Sequence, residues 1–155
     1  MADYFAEQEK AKAEARRAQK IRNYQNQISS LNNQMDDLNI EILKLQKEIE
    51  KLQYHEADRK QVWAQFQMEH QEGRQRLQGV QNIIVTSLSA EYYHKRMQED
   101  VNGSLMCQAI SAVEETFRRI TQAIQKREEK IEDLRNQLLA VDNQIPSLYR
   151  IIVIA

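Results

Sequence analysis

The residues whose types could do chemistry are few and scattered. His55, His70 and His94 lie too far apart for any two to stand one helical turn from each other. The stretch His55-Glu56-Ala57-Asp58-Arg59 opens like the zinc-protease motif, in which two histidines four residues apart hold the metal and the Glu acts as base, but Arg59 occupies the position of the second histidine. The single Cys107 cannot close an intrachain disulfide, and with no histidine near it in sequence it lacks the base that a thiolate nucleophile uses. Its place beside an apolar run predicts a buried structural thiol. No Gly-rich phosphate loop occurs. The 23 carboxylates are interleaved with 22 basic residues, as in Glu114-Glu115 followed by Arg118-Arg119. That is the pattern of a solvated helix face with pairing between successive turns. The sequence therefore predicts a protein that is not an enzyme, with no catalytic, cofactor-binding or metal-binding residues. A helical enzyme or metal protein whose site is built by oligomerisation has no cluster here to build from.

The elements that would carry these side chains are written in the apolar spacing. Ile21, Tyr24, Ile28, Leu31, Met35, Leu38, Ile42, Leu45, Ile49 and Leu52 follow an unbroken 3,4 pattern. A second run, from Met106, Ile110, Val113, Phe117, Ile120 and Ile124 to Ile131, Leu134, Leu138, Val141 and Ile145, repeats it with one polar interruption at Arg127. Each run defines a long amphipathic helix whose stripe must bury against another helix. Three Gly and one Pro in 155 residues agree with long helices rather than turns and sheets. The fold class expected is all-α: an elongated antiparallel helical hairpin or coiled coil, a single domain over 1–155, with a short helix near the turn.

Charge and hydropathy narrow the partners. A formal net charge of −1 and a pI near 6.3 argue against nucleic acid, whose binders carry a basic stripe. No apolar run approaches the roughly 20 residues that span a bilayer. The start, Met1 to Lys20, is charged and rich in Ala, unlike a cleaved secretory signal.

Along the chain, residues about 5–20 read as a polar helix in which Glu7, Lys10, Glu14 and Arg17 hold the seam positions, with Tyr4 and Phe5 as an N-terminal anchor. Beside the seam from 21 to 52 stand Gln25, Asn32, Asn39 and Gln46, where a self-specifying dimer would more often place Glu and Lys. The register continues through Glu56 and Arg59 to Trp63, Phe66, His70, Gly73, Leu77, Val80 and Ile84. Gly73 and Gly79 predict a bend or an end between 73 and 82. Ser89 reads as the N-cap of a short helix over about 89–100. Asn102-Gly103-Ser104 is the strongest turn signal and should introduce a helix over about 104–145, which Pro146 ends. A short apolar tail, 146–155, follows.

The start Ala2-Asp3-Tyr4-Phe5-Ala6-Glu7 carries a family resemblance, as does the stretch from Tyr92-Tyr93 through Val101-Asn102-Gly103-Ser104 to Ile131-Glu132-Asp133-Leu134. Together with the layout of two long helices around a hydrophobic-X-Gly turn at Val101-Asn102-Gly103, they resemble the LXG-toxin-associated helical proteins of bacterial type VII secretion. These belong to the wider group of Trp-X-Gly helical hairpins. Val101 stands where that group has Trp, and Phe5-X3-Glu9 is the nearest match to its export signal. The resemblance spans nearly the whole chain. It implies a targeting partner or chaperone without chemistry of its own, which binds the N-terminal helical domain of an LXG toxin. It also implies a cytoplasmic protein, with co-secretion without a cleaved signal as the alternative.

Two other readings share the seam: a coiled-coil export factor of flagellar or type III secretion that binds an export ATPase, and a homodimeric coiled-coil scaffold. The residues expected at a partner interface are Ile28, Leu31, Leu38, Ile42, Leu45, Val113, Phe117, Ile120 and Ile124, with Trp63 and Phe66 as aromatic anchors. Some of these must instead hold the hairpin together.

Overall fold

The structure, a computed structural model, describes the backbone of residues 2–81 and 88–154. It is all-α: helix α1 spans Ala2–Gln81, α2 Leu88–Asn102 and α3 Ser104–Ile154. The chain forms a helical hairpin. Its contacts divide it into two units, Met1–Lys47 with Arg127–Ala155, and Glu48–Lys126. None of the described helices is long and apolar enough to cross a membrane.

In the first unit the seam residues are those that bury. Ile28, Ile42 and Leu45 of α1 and Ile131 and Leu134 of α3 lie in the core, while Leu31, Met35, Leu38, Leu138, Val141 and Ile145 are half-buried. Residues 27–31 border one groove with 143–148, and residues 34–38 border another with 137–141, so the two helices run antiparallel. Lys130 Nζ meets Glu41 Oε1 across the pair at 2.8 Å. Such an exposed ion pair contributes at most about 1 kcal/mol, whereas each fully buried Leu or Ile contributes about 1.5–3 kcal/mol. The seam, not the ion pair, holds the helices.

Pro146 does not end α3. The helix passes through it to Ile154, and Leu148 and Ile152 continue the half-buried stripe beyond Ile145. A proline inside a helix costs about 3 kcal/mol; further burial of the stripe offsets that cost. At the other end, residues 4–20 are helical and exposed throughout, as their charged seam positions require.

In the second unit Ile49, Leu77, Ile120 and Ile124 are buried. The sequence predicts a bend or an end between 73 and 82: Gly73 and Gly79 are both helical, and α1 runs to Gln81, inside that window. A Cβ built on Gly73 would meet Val101 Cγ2 at 3.5 Å, an ordinary contact. Ile84 and most of the β-branched stretch Val80–Leu88 lie outside the described residues. Ser89 falls inside the first turn of α2 rather than before it.

Asn102-Gly103-Ser104 introduces α3 at Ser104, as its turn signal predicts, and does so by a bend between α2 and α3. Gly103 N–H donates to Glu99 O at 2.8 Å and Cys107 N–H donates to Gly103 O at 3.1 Å, so α2 feeds into α3 through a single bent residue. The bend has a reason in the seam. His94, Met97 and Val101 keep the 3,4 spacing on α2, but the next half-buried seam residue, Met106, is five positions on. Five residues of regular helix would rotate it about 140° off the stripe. Gly103 resets the phase. A Cβ there would stand 2.1 Å from Glu99 O, so only glycine permits this approach.

Candidate partner-binding groove

Trp63, Phe66 and His70 occupy successive turns of one face of α1, and their rings form a column. The Trp63 and Phe66 centroids are 5.2 Å apart with planes inclined by 17°, and those of Phe66 and His70 are 5.8 Å apart at 10°. His70 Nε2 donates to Val101 O at 2.7 Å, which fastens the column to α2. Beyond Phe66 the helices leave a groove of about 380 Å³, lined by Arg59, Val62, Trp63 and Phe66 of α1 and Ala109, Val113, Thr116 and Phe117 of α3.

Its chemistry is simple. The floor is aromatic and aliphatic, and Thr116 turns its hydroxyl onto Ala112 O at 2.9 Å. Arg59 is the one charged group of the lining, and no carboxylate among the described residues pairs with it. Nearby on α3, Glu115 accepts from Arg118 Nη2 at 2.7 Å and Nε at 2.8 Å and from Arg119 Nε at 3.0 Å. These hydrogen bonds, those of Arg118 first, hold its carboxyl below the usual range.

The residues expected at an interface separate into two sets. Ile28, Ile42, Leu45, Ile120 and Ile124 are buried in the chain's own seam. Trp63, Phe66, Val113 and Phe117 are half-buried and line the aromatic groove. Leu31 and Leu38 border the two grooves of the first unit. Arg59, Val62, Ala109 and Thr116 were not among the expected residues. Val62, 63% exposed, had one signal in the sequence: it is an apolar residue among the mostly polar positions flanking the seam.

Cys107 is exposed, not buried. It follows Met106 by one residue, about 100° around the helix, which turns it away from the stripe. His55 is exposed, and His94 Nε2 is buried without a hydrogen-bond partner. Among the described residues no three His, Cys, Asp or Glu side chains gather as metal ligands. Compared with protein families, curated proteins and solved structures, the chain matches none.

Proposed function

We propose that this chain is a non-enzymatic helical partner that binds the N-terminal helical domain of an LXG-type toxin and targets it for type VII secretion. The observation that carries this reading is the aromatic groove, an apolar surface that the hairpin does not cover with its own residues. Helices of a partner laid on that groove would complete a bundle and cover it. The partner acts in the cytoplasm, by holding the toxin's helices before export.

Co-expression with the N-terminal helical domain of an LXG toxin encoded beside this gene tests the reading. The two chains should co-elute from size exclusion as one species, with a melting temperature above that of either alone. Separate elution would contradict it.

A further inference from the structure

We propose that the groove between α1 and α3 seats one amphipathic helix of another protein, with apolar side chains on Trp63 and Phe117 and a carboxylate paired to Arg59. This rests on the partner-binding reading and specifies how the partner is held.

Three features select a helix with an acidic residue. The α3 wall alternates the small Ala109 and Thr116 with Val113 and Phe117, and the two small positions let a third helix approach closely enough for its side chains to enter the groove as knobs. Leu105, 82% exposed and one turn before Ala109, extends the apolar rim along the helix direction. Arg59 then supplies the only charge of the lining, without a carboxylate of this chain's described residues to neutralise it. An acidic side chain on the docked helix completes it, and a basic one is repelled. The grooves of the first unit offer no such seat, since Gln27, Ser30, Asn143, Gln144 and Ser147 dominate the lining of one of them.

Trp63 is the chain's only tryptophan, so its emission reports occupancy of the groove directly. The probe is an amphipathic peptide of about 20 residues with leucines at helical spacing and one Glu a turn before them, together with its Glu→Gln twin. The Glu peptide should shift Trp63 emission to the blue and saturate. The twin should bind about two- to five-fold more weakly, and Arg59→Gln should remove that difference while leaving helicity unchanged. Val62→Asp should abolish the shift. No response to either peptide, or equal binding of both by the unsubstituted protein, overturns the proposal. So does an emission shift that depends on the protein's own concentration alone, which would place a second copy in the groove. The LXG domain separates the two readings. If it binds without perturbing Trp63 and tolerates Val62→Asp, the toxin reading stands and the groove does not. If the acidic peptide binds and the domain does not, the groove stands alone.

Discussion

His70 and Val101 are joined across the hairpin, the imidazole Nε2–H donating to the carbonyl oxygen at 2.7 Å. The bond ties α1 to α2 two residues before the bend at Gly103, and it fixes the end of the Trp63-Phe66-His70 column. His70→Ala removes the donor and leaves a part-buried carbonyl unpaired, at a cost of about 1–2 kcal/mol. His70→Gln, which can still donate, should cost less. Urea midpoints at constant slope measure both, and an alanine variant with an unchanged midpoint would remove the clamp from the account.

The glycines should respond in opposite directions. Gly73→Ala replaces a helical glycine where a methyl has ordinary contact distance, and Gly79→Ala does so in open space; each should stabilise by up to about 1 kcal/mol. Gly103→Ala puts a methyl onto the Glu99 carbonyl and should lower the melting temperature. Circular dichroism melts of the three variants decide the matter. A neutral Gly103→Ala would mean that the seam reset does not need glycine.

Pro146 is tolerated inside α3 at a local cost. Its replacement by Ala restores an N–H and removes the ring, so it should stabilise by as much as about 3 kcal/mol. Thermal unfolding followed at 222 nm measures the gain. A loss of stability on Pro146→Ala would mean that the helix ends near residue 146 after all.

Glu115 gives a pH signature of known sign. Its folded carboxyl is held below the ordinary 4.5 by hydrogen bonds from Arg118 and Arg119, so its contribution is present at neutral pH and fades as pH falls through the lowered value. The melting-temperature difference between the wild type and Glu115→Gln should be small at pH 7, shrink with salt and vanish in acid. A difference that grows on acidification would contradict the assignment.

The seam was legible because its period is also its burial. Ile28, Ile42, Leu45, Ile120, Ile124, Ile131 and Leu134 follow the 3,4 spacing and are buried. Punctuation was less legible, because glycine and proline signal local cost while packing sets the outcome. Leu148 and Ile152 carry the helix past Pro146, and the expected start of α3 at Ser104 is reached through a phase reset at Gly103 that the turn signal alone did not foretell. At the groove, Trp63 and Phe66 stood out as the aromatic pair of the first helix. Arg59, Val62, Ala109 and Thr116 did not, since which flank of a seam stays open depends on how the facing helix packs.

The most direct test of the central claim is an affinity pull-down of the tagged protein from its native host, with stoichiometric partners identified by mass spectrometry. The account predicts recovery of a protein with an LXG-type helical N-terminal domain. Recovery of an export ATPase, or of this chain alone, would contradict it.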